Sequence, residues 1–404
     1  IFIKVRINVK WEQRKLGEIS KRVRNNDGRM NLPLLTISAR YGWMTQQSRF
    51  SASIAGREKK NYTLLEKHQL SYNHGNSKVA IYGTVYELTN YDEALVPKVY
   101  HSFSLTPENS SKFIESYFHT KKLDAQLRKF IASTARMDGL LNISFDDFMK
   151  VKLFAPEQCE QSKISRIINL IEKLITLQQR KLEQLKQLKK AMLQQLFVDK
   201  NSKQPNLRFK NFNGEWEQRK LGTVGKTQSG IGFPTKEQGG QKGVPFFKVS
   251  DMNNNGNEFE MTTSNNYVTE QQIISKKWKT ITKVPAVIFA KVGAALMLNR
   301  KRLVTVPFLI DNNTMAYMFG KNWDPYFGKV LFDTLNLPKY AQTGALPSFN
   351  GSDIENIKVM FPTQVEQQII GCFFESINGL ITHQQNKLTQ LTTLKKYLLQ
   401  NLFI

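Results

Sequence analysis

Cysteine is nearly missing from this sequence. Its 404 residues hold two, Cys159 and Cys372, which excludes a disulfide framework and suits a reducing cytosol. Both are expected as small buried apolar groups. Histidine is also scarce, and its five residues never gather with cysteine at metal-ligand spacing, so no metal site is expected. The longest apolar stretch, Val284–Leu298, is interrupted by Lys291 and is too short to span a bilayer. No basic amphipathic segment with bulky aromatics suggests a membrane surface. No signal-peptide pattern opens the chain, and the first residue is not methionine, so the true N-terminus is left open. A cytoplasmic protein without membrane contact is the expectation.

Acidic residues are in deficit. Lys and Arg number 58 against 33 Asp and Glu, a formal charge of +25 that both halves share. Such a field attracts polyanions, with nucleic acid the first candidate. Apolar residues at 40% and aromatics at 11% are enough to fill real cores, and the length calls for two to four domains.

What the sequence does have is a repeat. Trp-Glu-Gln-Arg-Lys-Leu-Gly occurs at Trp11–Gly17 and again at Trp216–Gly222, and Lys152–Val198 aligns without a gap on Lys358–Ile404. The tryptophans stand 205 positions apart, and Pro156 and Pro362 stand 206 apart. The middles between these matched ends are equally long and share little sequence. One unit is used twice, with two different surfaces.

The long repeats read as helices. In the first copy Ile164, Ile168, Ile171, Ile175, Leu182, Leu185, Met192 and Leu196 follow heptad steps. In the second they are Ile370, Phe374, Ile377, Ile381, Leu388, Leu391, Leu398 and Leu402. Gln178, Lys189, Gln384 and Lys395 are polar seam positions that suggest a fixed register. Pro156 and Pro362 mark the starts, each followed by a Glu-Gln pair (Glu160-Gln161 and Glu366-Gln367). About 38 residues at ~1.5 Å each give roughly 55–60 Å of helix. The second variable segment links the end of one helix to the start of the other, and domain termini lie close together, so an antiparallel coiled coil is predicted. It would carry one variable domain at each end, related by a pseudo-twofold axis. The expected class is α+β: two mixed α/β domains in tandem, separated and joined by the two long helices. The boundaries read are 1–155 for the first domain, 156–198 for the first helix and 199–215 for a linker. The second domain is 216–361 and the second helix 362–404.

Within the domains, strands are expected at Leu34–Ser38, Val79–Tyr82, Lys98–Tyr100, Pro245–Ser250, Val287–Phe289 and Met315–Tyr317. Helices are expected at Glu108–His119 and Pro325–Asn336. Basic, aromatic and amide loop residues are candidate base readers, since Arg forks onto guanine and Asn or Gln onto adenine. In the first domain these are Arg40, Tyr41, Trp43, Gln46, Gln47, Arg49, Arg57, Lys59, Lys60 and Arg136. In the second they are Asn253, Asn254, Lys291, Asn299, Arg300, Lys301, Arg302, Asn312 and Asn313. Lys59-Lys60 and Arg300-Lys301-Arg302 suit phosphate better than bases.

Catalytic chemistry finds no footing. Asp324-Pro325-Tyr326-Phe327 lacks one proline of an amino-methylating loop and has no glycine-rich cofactor loop upstream; a helix-capping turn explains it. Gly230-Ile231-Gly232-Phe233 is too little for a nucleotide site. Asp146-Asp147 keeps one carboxylate in its counterpart Gly351-Ser352-Asp353, and capping accounts for it.

The sequence resembles the specificity (S) subunits of type I restriction–modification systems. The residues that carry the likeness are Arg208–Phe212 before Trp216–Gly222, and Pro156…Glu160-Gln161…Ile164 and Pro362…Glu366-Gln367…Ile370 with their heptads. Pro245–Met252 and Asp311-Asn312-Asn313 also look like that family's target-recognition domains. Ile1–Lys10 departs from the pattern, since it does not reproduce Arg208–Glu215. The resemblance implies a non-catalytic reader of double-stranded DNA that binds no cofactor itself, with one recognition domain on each half of a split, asymmetric site. Two modification subunits carrying S-adenosylmethionine would methylate adenine N6. Restriction subunits using ATP and magnesium would join them. Two alternatives stay open on the residues alone: a self-contained DNA-modifying enzyme, and a non-specific architectural nucleic-acid-binding coiled-coil protein.

Overall fold

A computed structural model describes residues 10–50, 56–75, 77–132, 140–199, 202–342 and 346–404. The chain forms two compact units, Ile1–Leu177 with Leu388–Ile404, and Gln178–Lys387. Each long helix is thus shared between the two units.

The repeated heptapeptide closes each domain. Glu12–Lys15 pairs antiparallel with Lys152–Ala155, and Glu217–Lys220 pairs in the same register with Lys358–Phe361. Each partner strand lies immediately before a long helix, so the two repeated segments are one structural frame. Leu16 and Leu221 are fully buried, and their N–H groups donate to Val151 O at 2.8 Å and Ile357 O at 2.9 Å. The glycines that end the heptapeptides allow a close approach. A Cβ on Gly17 would stand 3.2 Å from Met149 Cβ, and one on Gly222 would stand 2.9 Å from Glu355 Cβ.

The unlike middles share a sheet. In the first unit four antiparallel strands lie in the order Ser20–Val23, His101–Leu105, Leu70–Asn73, Thr84–Glu87. In the second the order is Gly225–Ser229, Thr314–Phe319, Ala286–Ala290, Lys301–Val304. Both read first, fourth, second, third along the chain. A helix then covers each sheet, Ser111–His119 in one and Pro325–Thr334 in the other. The first starts later than expected because Ser110 is its cap, with Oγ accepting from Phe113 N.

Two expected strands are absent. Val79–Tyr82 lies in a turn before Gly83, whose φ of 81° breaks extension, and the strand starts at Thr84. Lys98–Tyr100 is a turn closed by Tyr100 N donating to Pro97 O, between strands Glu93–Val96 and His101–Leu105. The strand expected over Pro245–Ser250 is Val244–Phe247, followed by a 3-10 turn at Val249–Asn253.

The long helices run Gln158–Gln195 and Gln364–Asn401. In the first unit, Leu398, Leu399 and Leu402 pack on the core that holds Ile164 and Ile168, and Lys395 Nζ meets Glu172 at 2.9 Å. In the second, Met192 and Leu193 pack on the core that holds Ile370 and Phe374. The start of each helix thus lies beside the end of the other, and the pair is an antiparallel coiled coil. Ile164, Ile168, Leu182, Ile370, Phe374 and Ile377 are buried, and Ile171, Ile175, Leu185, Ile381, Leu388 and Leu391 are partly so. Cys159 and Cys372 are exposed, contrary to the expectation. Each sits off the heptad stripe, so the seam that buries Ile164 and Ile370 turns them outward.

Candidate nucleic-acid interface

Each variable domain is fixed to its long helix by one glutamine. Gln161 Oε1 accepts from Ser110 N at 3.0 Å, at the start of the covering helix, while its Nε2 donates to Pro156 O at 2.9 Å. Gln367 does the same for Asp324 N at 2.9 Å and Pro362 O at 3.1 Å. Asp324 caps its helix by accepting from Phe327 N at 2.8 Å. Ser110 Oγ lies 2.9 Å from Ser165 Oγ. The matching position in the second copy is Gly371, where a Cβ would fall 2.3 Å from Asp324 Oδ1. Sequence reasoning missed this role for the glutamines, although both Glu-Gln pairs recur. Replacing Gln161 by leucine leaves a buried N–H and a carbonyl unpaired. The first unit should lose about 2–4 kcal/mol, readable in its denaturant midpoint.

A buried charge cluster lies beside the first covering helix. Lys112 Nζ reaches Glu115 at 2.9 Å and Glu172 at 2.5 Å, and Glu172 also holds Lys395. Glu115 Oε2 accepts from Glu87 N at 3.1 Å. Burial pushes the Glu115 carboxyl up to about 7 against the opposing pull of Lys112. Burial, with Lys395 and Lys112 nearby, pushes His119 down to about 4. The raised acid stabilises fully below its unfolded value of 4.5, and that contribution fades as pH rises through about 7. The depressed base stabilises fully above 6.5 and fades as pH falls through about 4. The opposed slopes overlap between 4.5 and 6.5, so the wild type should be nearly flat there. Glu115→Gln removes the falling slope. Its thermal midpoint should climb over that window relative to wild type, a gain of about 2–3 kcal/mol by pH 7.

In the first domain the expected loop tightens into a hairpin, Leu35–Ser38 with Gly42–Thr45. Arg40 and Tyr41 form its exposed tip, with the guanidinium 5.7 Å from the ring centroid. Trp43 lies on the strand and donates Nε1 to Glu87 O at 3.0 Å. Gln46 is buried and donates to Tyr62 Oη at 3.2 Å, while Arg49 donates to Ile37 O. Gln47 and Lys60 are exposed, and Lys59 is half-buried. Arg136 lies outside the described residues, as does the side chain of Arg57.

In the second domain Asn253, Asn254 and Arg300 converge. Arg300 Nη1 donates to Asn253 Oδ1, and Asn254 Nδ2 donates to Asn265 Oδ1 at 3.0 Å. Asn265 was not among the expected residues. Asn312 and Asn313 are exposed in a turn, and Lys291 N donates to Asn313 O at 2.9 Å. Asn299 is used structurally, donating to Leu335 O at 3.1 Å and accepting from Leu337 N at 3.1 Å. Lys301 is buried and donates to Leu335 O at 2.6 Å; burial pushes it down to about 8. Arg302 is half-buried, with Nη2 on Met252 O at 3.2 Å.

Under this surface Lys329 is fully buried and donates to both oxygens of Asp333 at 2.7 Å. Lys329 also stands 4.5 Å from the Phe259 ring centroid, and Lys189 of the first long helix 5.9 Å from it. Burial lowers the pKa values of Lys189, Lys301, Arg302 and Lys329, and Asp333 opposes the shift in each. Among the described residues no group of three or more His, Cys, Asp or Glu is placed to hold a metal. No described helix is long and apolar enough to cross a membrane.

A family model described as type I restriction modification DNA specificity domain matches residues 213–393. The frame of that segment recurs strand for strand in the first half. That second-half segment is similar to the DNA specificity domain of type I restriction–modification systems. Solved structures share its fold over the whole length. An S subunit of such a system from M. genitalium is 13% identical with a TM-score of 0.64, the match covering 100% of this chain and 98% of that one. A chain from a study of complex assembly and conformational transition of the type I system is 12% identical with a TM-score of 0.55, covering 98% and 99%. No curated protein matches the sequence.

Proposed function

We propose that this chain is a specificity subunit that reads a bipartite, asymmetric DNA target, one half-site per variable domain, and performs no chemistry itself. The observation that carries the reading is the duplicated frame: two domains with one sheet order and unlike exposed tips, each fixed by the same glutamine to an antiparallel helical pair. The base-reading surface is drawn narrower than the sequence suggested. Arg40, Tyr41 and Gln47 serve the first half-site. Asn253, Asn254, Arg300, Asn312 and Asn313 serve the second, with Lys59, Lys60 and Lys291 on phosphates. Partners supply the chemistry: two modification subunits that carry S-adenosylmethionine and methylate adenine N6, and restriction subunits that use ATP and magnesium. Leu170, Leu174 and Leu177 are exposed on the first long helix at heptad steps off its seam, and they suit a partner's helix.

Selection from a random duplex library, with the modification subunit present, tests this. The expected product is two short conserved blocks flanking an unconserved gap. Arg40→Ala should relax one block and Asn254→Ala the other, each by about 1–3 kcal/mol of base discrimination. Lys60→Ala should weaken all sequences alike and lower the salt slope of binding by about one charge. Methyl transfer by the isolated chain supplied with cofactor would overturn the non-catalytic reading.

A further inference from the structure

The two copies of the frame differ at a place that DNA reading leaves unused. In the second copy the connecting segment seals the start of the second long helix. Arg208 donates Nε and Nη2 to the two oxygens of Glu366 at 2.8 Å each, and Nη1 to Gly214 O at 2.6 Å. Phe209 meets Phe373 edge-on, with centroids 5.8 Å apart. Glu160 and Ile167 stand at the corresponding positions of the first copy. Gln161 beside them holds its proline carbonyl as Gln367 does, so the local backbone is built alike. Yet Glu160 Oε2 is out of solvent without a hydrogen-bond partner, and Ile167 is 42% exposed. Burial holds the Glu160 carboxyl above its ordinary range.

We propose that Glu160 and Ile167 form a docking notch for an arginine–aromatic segment of a partner polypeptide. The partner's guanidinium takes the carboxylate and its ring covers the isoleucine, as Arg208 and Phe209 do in the second copy. A carboxylate oxygen shut from water without a donor is destabilising, and arginine offers two parallel donors matched to it. Lysine offers a single point charge and no such fork. In this chain Ile3 and Lys4 stand where Arg208 and Phe209 would fall before Trp11, so the pair is not supplied in register from the same sequence. The site is separate from the DNA-reading tips and does not depend on their assignment.

The experiment titrates the full chain with a labelled peptide, Leu-Arg-Phe-Lys-Asn-Phe, which copies Leu207–Phe212. One saturable site is expected. Affinity should fall at least tenfold in Glu160→Gln and in Ile167→Asp, and at least tenfold when the peptide's arginine becomes lysine. DNA selection by Glu160→Gln should be unchanged. Absence of saturable binding, or binding indifferent to Glu160, overturns the proposal. A loss of thermal stability in Arg6→Ala that vanishes in the Glu160→Gln background would place the chain's own arginine in the notch and would also overturn it.

Discussion

Asp333→Asn should unfold the second unit at markedly lower denaturant, with a loss of about 3–5 kcal/mol. Asp333 is the carboxylate that Lys329 holds with both oxygens, and Lys329 is fully buried. The Asp333 charge also favours the charged forms of Lys189, Lys301 and Arg302. Asparagine keeps the shape and removes the charge, leaving an ammonium enclosed without a counter-ion. Desolvation of the lysine, more than the lost attraction, sets the magnitude. Lys329→Met in the same background should recover much of the loss, because the ammonium enclosed against Asp333 is then gone and only Lys301, held on Leu335 O, stays buried without that carboxylate. Chemical denaturation followed by Trp323 fluorescence reads this, since Trp323 is buried in the same unit. Equal loss in the single and double variants would show that packing, not charge, is responsible.

Arg208→Ala should rank beside it, at about 3–5 kcal/mol. Glu366 is 1% exposed and has Arg208 on both oxygens. Removing the arginine strands that carboxylate, frees Gly214 O and loosens the segment that brings Phe209 onto Phe373. Arg208→Lys should recover less than half, because a point charge cannot satisfy both oxygens. Arg208 bonds to Glu366 and Gly214 and to none of the proposed reading residues, so base preference should be retained at temperatures where the unit is folded.

Spacing was legible in the sequence, and pairing at a distance was not. The heptads named the seam because a 3.5-residue period is written locally, and the structure buries Ile164, Ile168, Ile370 and Phe374 where the period placed them. The twofold recurrence of the ends was equally plain. Its purpose was hidden: Glu12–Lys15 finds its partner at Lys152–Ala155, and no local pattern announces a strand pair so far apart in sequence. Short apolar runs misled where Gly83 or Pro97 ended extension. Arg300-Lys301-Arg302 read as a surface run because it is basic. On a strand, however, Lys301 shares a face with Leu303, and that two-residue alternation was the available sign that it points inward. By sequence Gln161 and Gln367 read as helix-start residues. Their grip on the covering helices depends on tertiary placement that composition does not encode.

The central claim is that one chain reads two unlike half-sites through two separately mounted domains. Mapping methylated adenines across a genome, in cells making this chain with the proposed modification subunit, tests it most directly. The account predicts one asymmetric motif, two different short blocks at a fixed separation, with Asn254→Ala blurring a single block. A continuous motif, a palindrome, or blurring of both blocks at once would contradict it.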